Sequence, residues 1–139
     1  MMRLTTIVLL FCATAGAECI AFTEAPQHVG ESRCVRGKVV NIGESRGGSK
    51  YLNFCDDYKT CAFSVVVFAS NLKDVGDVKE LNGKDIEIYG KVTTYRGRTE
   101  MILRDVKQLK GEAAKIPPLP KTYDVEKKGR YSAGEAKKK

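Results

Sequence analysis

Four of the five cysteines, Cys19, Cys34, Cys55 and Cys61, follow the N-terminal segment that contains Cys12, and their chemistry depends on the compartment in which the protein folds. In an oxidising compartment an even number predicts two disulfides, with three possible pairings. Cys55 and Cys61 lie between two apolar runs that read as strands, so a hairpin would bring them together and leave Cys19 to pair with Cys34. The separations of 15, 21 and 6 residues, without a C-x-x-C motif, do not match a zinc module. Structural disulfides are therefore favoured over free thiols, and either over a metal site.

Side chains suited to catalysis are few. The neighbouring carboxylates Asp56 and Asp57 fall at the tip of the expected hairpin, where such residues usually form the turn. His28 is the only histidine and lies in a short N-terminal turn, and Gly47-Gly48 does not fit a phosphate-binding glycine motif. The sequence therefore predicts no enzyme activity, no metal and no cofactor.

The first 17 residues predict that the chain is exported. Met1–Ala17 contains Arg3, an apolar run over Ile7–Ala13 and small residues ending at Ala17. This is the pattern of a secretory signal peptide. Cleavage near Ala17 would remove Cys12 and leave Glu18–Lys139 outside the cytoplasm, periplasmic or secreted, with no span that could cross a membrane.

The rest of the chain divides into a domain over 18–111 and a tail over 112–139. Alternating and β-branched residues predict five strands, with one short helix within Ala69–Leu81. The predicted strands are Cys34–Ile42, Lys50–Cys55, Ala62–Phe68, Asp85–Tyr95 and Thr99–Leu109. The tail begins at Glu112, contains Ile116-Pro117-Pro118-Leu119-Pro120 and ends in three lysines. Its composition predicts a mostly disordered segment.

Five strands with a helix between the third and the fourth is the order of the OB-fold, a Greek-key barrel. The run Gly83–Val92, followed by Tyr95–Arg98, is similar to the fourth and fifth strands of nucleic-acid-binding OB domains of the anticodon-binding and single-strand-binding groups. Val35–Val40 and Tyr51–Phe54 look like the first two strands of that family. The chain as a whole resembles small exported bacterial OB-fold proteins, with the resemblance covering about residues 30–110. We therefore expect an all-β fold, a five-stranded OB-fold barrel with one short helix.

The resemblance also implies a binding surface. OB domains bind single strands on the face of strands two and three and in the loops that join strands one to two and four to five, where aromatic side chains stack on bases between basic groups. The residues that correspond here are Arg36, Lys38, Arg46, Lys50, Tyr51, Phe68, Tyr95, Arg96 and Arg98. The partner implied is single-stranded nucleic acid or another polyanion. The alternative is an OB-fold protein of the cell envelope that binds a protein, a glycan or a small ligand.

The charge distribution limits how strongly basicity supports a nucleic-acid site. The chain has 24 Lys and Arg against 17 Asp and Glu, a net charge of +7. Residues 18–111 hold 15 basic and 13 acidic residues, a net of +2, whereas residues 112–139 hold 8 and 4, a net of +4. Most of the excess therefore lies in the tail, which could tether the protein to an anionic surface.

Overall fold

The computed structural model describes residues 18–120. These residues form seven β-strands, one short α-helix and five 3₁₀ helices. The strands are β1 (Ile20–Ala21), β2 (Ser32–Lys38), β3 (Asn41–Glu44), β4 (Lys50–Asn53), β5 (Ser64–Val67), β6 (Asp85–Tyr95) and β7 (Arg98–Ile102). The α-helix is α1 (Leu72–Val75), and the 3₁₀ helices span Phe22–His28, Ala69–Asn71, Val78–Leu81, Val106–Gln108 and Gly111–Lys115. The expected signal peptide, 1–17, and residues 121–139 of the expected tail lie outside the described residues.

The strands form one sheet in the order β1-β2-β6-β7-β5-β4-β3. Neighbouring strands are antiparallel except for the parallel pairs β1–β2 and β5–β7. The predicted all-β class is confirmed, and the short helix lies between β5 and β6, within the predicted Ala69–Leu81.

The prediction of five strands differs from the seven described. Ile20–Ala21 adds a strand beside β2, and the predicted strand Cys34–Ile42 is divided into β2 and β3. The division occurs because consecutive amides serve different neighbours: Val39 N–H donates to Lys84 O at 2.9 Å, and Val40 N–H donates to Asn53 O at 2.8 Å.

The last predicted strand is also shorter than expected. Strand β7 ends at Ile102, because Asp105 and Gln108 form a capping box around the 3₁₀ helix Val106–Gln108. Leu109 N–H then donates to Val106 O, and the chain rejoins the sheet only at a single bridge between Leu109 and Ile88 of β6.

The core lies against the inner face of the sheet. Inward residues alternate along each strand, as Leu52, Val65, Ile88 and Met101 illustrate, and all four are fully buried. Leu72, Val75, Val78 and Leu81, from α1 and the following 3₁₀ helix, pack against the same cluster. Three phenylalanines complete it: Phe54 contacts Phe22 at 5.4 Å and Phe63 at 5.6 Å between ring centroids.

Gly37 leaves room for this aromatic group. A Cβ added at Gly37 would lie 2.7 Å from Phe54 Cδ1 and 2.8 Å from Phe22 Cδ1. Any side chain at this point of β2 would therefore displace packed rings. Strand β2 therefore runs without interruption through Gly37, and two aromatic rings pack closely over it.

The predicted disordered tail is wrong for residues 112–120. Gly111–Lys115 forms a 3₁₀ helix with Ala113 buried, and Ile116 and Leu119 pack against the core. Asp77 N–H also donates to Pro117 O at 2.8 Å. The apolar residues among the prolines supply the reason, because they bury surface that a polar tail would leave exposed. The domain therefore extends beyond Gly111 to at least Pro120.

The predicted disulfide pairing is confirmed. Cys19 is bonded to Cys34, which joins the residue before β1 to β2, and Cys55 is bonded to Cys61 across the connection between β4 and β5. Glu87 lies close to the first pair, but sulfurs bonded to each other offer no thiolate to a metal. Two disulfides fit an exported protein that folds outside the cytoplasm.

No helix within residues 18–120 is long and apolar enough to cross a membrane.

Candidate functional site

The solvent side of β4, β5, β7 and the Val92–Tyr95 end of β6, which pairs with β7, is the surface on which the predicted aromatic residues would lie, and we call it the outer face. The strand register places Tyr51 beside Val66, and Val66 beside Ile102. Tyr51 and Ile102 are half-buried, whereas Val66 is buried. An apolar row therefore crosses β4, β5 and β7, and Tyr51 supplies its one aromatic ring.

A second row, next to the first, is polar. The register aligns Asn41, Asn53, Ser64, Glu100 and Thr93 across five strands. Asn53 Nδ2 donates to Asn41 Oδ1 at 2.7 Å, and Thr93 Oγ1 donates to the backbone oxygen of Glu100 at 3.2 Å. Burial raises the pKa of Glu100 above its ordinary value, and the nearby Arg98 opposes that rise.

Two tyrosine–arginine pairs, which we call the rim cluster, border the outer face at the β6–β7 turn. The Arg98 guanidinium lies 4.9 Å from the Tyr58 ring centroid, and that of Arg96 lies 5.3 Å from the Tyr95 centroid. Both distances are within the range of cation–π attraction. Tyr58 is 51% exposed and Tyr95 is 57% exposed, so each ring keeps surface on which a ligand could stack.

The backbone holds these side chains in place. Arg96 and Gly97 have positive φ angles of 50° and 76°, as a two-residue hairpin turn between twisted strands requires. Arginine is an uncommon choice at such a position, where asparagine or glycine fits without strain. On the other side of the cluster, Asp57 Oδ1 accepts a hydrogen bond from Lys59 N–H at 2.9 Å and so shapes the disulfide-closed loop that carries Tyr58. Asp57 is a turn residue, as predicted.

Arg46 and Phe68 lie at the opposite end of the outer face from the rim cluster. The β3–β4 loop that carries Arg46 adjoins the start of β4, and Phe68 follows the end of β5, which pairs with that start. The β6–β7 turn instead adjoins the start of β5. Arg46 is exposed, and Phe68 is 44% exposed. The predicted basic loops therefore flank the outer face from two ends.

Lys50 is not the exposed cation that the resemblance implies. Its side chain is 4% exposed, and its Nζ lies 2.8 Å from Glu44 Oε2. The register explains this, because Lys50 lies directly opposite Glu44 and shares the inward side of β4 with Leu52. Lys50 therefore joins β3 to β4 by an ion pair in which only the lysine is buried, and it does not reach the outer face.

Arg36 and Lys38 lie on β2, away from β4 and β5. The register places Arg36 opposite Glu87 and Lys38 opposite Asp85, so acidic partners offset both charges. Arg36 lines a separate groove of about 570 Å³ between Phe22 and Ala113. These two residues therefore do not join the predicted surface.

Sequence reasoning missed two residues of the site. Tyr58 is the aromatic residue within the Cys55–Cys61 loop, and an aromatic side chain at the tip of a closed loop was a usable signal. Glu100 is the acidic residue between Arg98 and Ile102 on the outward side of β7. The alternation of residues along that strand would have been enough to predict that it faces outward with Arg98.

The Lys50 ion pair makes a testable contribution to stability. We expect Lys50→Ala to lower the free energy of unfolding by about 1–3 kcal/mol, because it removes a charge-assisted hydrogen bond and buried contacts. Glu44 is about one-third exposed and can rehydrate in the variant, which keeps the loss below that of a fully buried pair. Urea unfolding measures the change. Arg46→Ala, four residues earlier and exposed, is the control and should change stability by less than about 0.5 kcal/mol; equal losses would contradict the assignment.

No protein-family model matches the sequence, and no curated protein sequence matches it.

Proposed function

We propose that the protein is an exported OB-fold module that binds single-stranded nucleic acid on the outer face, with the rim cluster as its main contact. The observation that carries the proposal is the rim cluster, in which two exposed tyrosine rings each have a guanidinium within 5.3 Å. Base stacking on aromatic rings together with cationic contacts to phosphate is the combination that single-strand-binding surfaces use.

The strand pairings support the OB-fold part of the proposal. If β2 and β3 are counted as one strand divided at Val39 and Val40, the main strands number five. The first strand then pairs with both β4 and β6, and β5 pairs in parallel with β7. This order is expected of a small Greek-key barrel whose second and third strands carry the ligand. The short helix between β5 and β6 occupies the position that the resemblance predicts.

The charge of the domain indicates how such a strand would be held. Residues 18–111 have a net charge of only +2, so a large positive field does not drive binding. Stacking on Tyr58, Tyr95 and Tyr51 would supply most of the affinity, at about 1–3 kcal/mol for each base. Arg46, Arg96 and Arg98 could contact about three phosphates, which predicts a slope of log affinity against log salt of about −2.

Fluorescence anisotropy of a labelled deoxythymidine 12-mer tests the proposal on the mature chain, Glu18–Lys139. We expect measurable binding at low salt, with a salt slope at least as steep as the value given above, because the slope of about −2 counts only three arginines and the tested chain also carries the basic residues of 112–139. Tyr58→Ala or Arg98→Ala should weaken binding about tenfold, because each removes half of one tyrosine–arginine pair.

Tyr89→Ala is the matched control. Tyr89 is also an exposed tyrosine, with Lys110 Nζ 5.9 Å from its ring centroid, but it lies on the β2–β6 side of the sheet. Its replacement should leave affinity within about twofold, since it removes the same kind of side chain away from the proposed site. No binding of the oligonucleotide, or equal losses at Tyr58 and Tyr89, would reject the proposal in favour of a protein, glycan or small-molecule ligand.

A further inference from the structure

Glu100 is a carboxylate in the middle of a surface proposed to bind a polyanion. It lies on β7 between Arg98 and Ile102, with Ser64 opposite it on β5 and Thr93 opposite it on β6. The apolar row lies on one side of it and the rim cluster on the other. Because a carboxylate repels phosphate, a strand that crosses the outer face must present something other than its backbone at this point.

The surroundings of Glu100 leave its carboxylate able to accept hydrogen bonds. The Thr93 hydroxyl donates to the backbone oxygen of Glu100 and not to its side chain. Among residues 18–120, none of the hydrogen bonds or ion pairs found involves the carboxylate oxygens. A half-buried ionised carboxylate is an acceptor with two oxygens, so a ligand with adjacent N–H donors would complement it.

We infer that Glu100 reads a base of the bound strand and selects guanine. The inference rests on the proposed function. Guanine presents two adjacent donors, N1–H and N2–H₂, which match the two oxygens of one carboxylate. Adenine and cytosine present one amino group each, and thymine presents one N–H flanked by two carbonyl oxygens that would face the carboxylate. Single-stranded bases expose these edges, and carboxylates are established acceptors from base amino groups.

The ratio of two affinities tests the inference. We compare a deoxythymidine 12-mer with the same oligonucleotide carrying four separated dG residues, and with a third in which inosine replaces each dG. We expect the dG oligonucleotide to bind about tenfold more tightly than the thymidine 12-mer. The inosine oligonucleotide should fall between them, because inosine lacks the N2 amino group but keeps N1–H.

Glu100→Gln should reduce the ratio of the dG to the thymidine affinity from about ten to about one, whereas Glu87→Gln, an exposed carboxylate of β6 outside the outer face, should leave the ratio unchanged. Equal affinities in the parent protein, or a preference that survives Glu100→Gln, would overturn the inference while leaving the proposed function intact. Failure of all three oligonucleotides to bind would overturn both.

Glu100→Gln is expected to fold at least as stably as the parent protein. Burial raises the pKa of Glu100, so the folded state binds its proton more tightly than the unfolded state does. Any stability that this group contributes is therefore present at low pH and is lost as the pH rises through the folded pKa. Glutamine has no ionised form, and the melting temperature of Glu100→Gln at pH 7 should be no lower than that of the parent.

Discussion

Replacing Gly76 with alanine is expected to lower the free energy of unfolding by about 3 kcal/mol. Gly76 has φ 116° and ψ −165°, a conformation that is essentially limited to glycine. A Cβ at this position would also lie 2.7 Å from Pro117 O, a backbone atom that cannot turn away as a side chain could. Alanine must therefore strain the end of α1 and displace the segment that contains Ile116 and Leu119.

Gly83→Ala is the control that separates the cost of the backbone conformation from the cost of the clash with Pro117 O. Gly83 also has a positive φ, 79°, but nothing lies within 4 Å of an added Cβ. Its substitution should cost about 1–2 kcal/mol, from backbone conformation alone. Urea unfolding compares the two variants, and trypsin cleavage after Lys115 reports whether the segment has detached. Equal losses of stability, or unchanged cleavage in Gly76→Ala, would show that Pro117 does not hold this segment against Gly76.

Removal of the two disulfides should separate stability from binding. The double substitution Cys19→Ala with Cys34→Ala opens a loop of 15 residues and is expected to cost about 3 kcal/mol. It also releases Ile20, Phe22 and Ala25, which pack against the core. This bond joins Cys19 to β2, and neither segment contains a residue of the rim cluster, so oligonucleotide affinity measured below the melting transition should stay within about twofold of the parent.

The double substitution Cys55→Ala with Cys61→Ala should lower stability less and weaken oligonucleotide binding more. It opens a loop of six residues and is expected to cost less, about 2 kcal/mol. The same bond closes the loop that holds Tyr58 over Arg98, so its loss should weaken oligonucleotide binding about as much as Tyr58→Ala does. Thermal melting and anisotropy on both double variants check the prediction. An unchanged affinity without the Cys55–Cys61 bond would mean that Tyr58 does not depend on the closed loop.

Local patterns in the sequence predicted the parts of the fold that depend on local physics. Alternation located β4, β5 and β6 and placed Leu52 inward, because the side chains of a strand point to alternate faces. The hairpin between two apolar runs predicted the Cys55–Cys61 bond, and the remaining pair followed by elimination.

Features that depend on distant contacts were beyond a local pattern. Predicting the ion pair of Lys50 with Glu44 would have required the register of β3 and β4, which the sequence of one strand does not determine. The division at Val39 and Val40 required hydrogen bonds to Asn53 and Lys84. The proline-rich composition predicted disorder after Gly111. In the structure Ala113 is buried and Leu119 packs against the core, and these contacts outweigh the tendency of the prolines to remain disordered.

In the candidate site, too, residues close together in the sequence could be predicted, whereas residues brought together by distant contacts could not. The resemblance to OB domains named Tyr95, Arg96 and Arg98, and the structure places all three at one turn. Tyr58 joins them only because a loop from a different hairpin folds over Arg98. Arg36 and Lys38 were predicted to belong to the binding surface because they are basic. Only the β2–β6 register showed that Glu87 and Asp85 lie opposite them.

The pairing of β2 with β6 also governs when the chain can fold. Residues of β2 meet partners 47 to 59 positions later, from Lys38 with Asp85 to Ser32 with Lys91. Such non-local contacts form slowly, because a long loop must close before any of them contributes. During synthesis β2 therefore lacks its main neighbour until the segment Asp85–Lys91 has left the ribosome. Because two disulfides also have to form, and disulfides persist only where conditions are oxidising, the late pairing of β2 with β6 means that Cys34 of β2 can meet Cys19 before this strand gains its main neighbour.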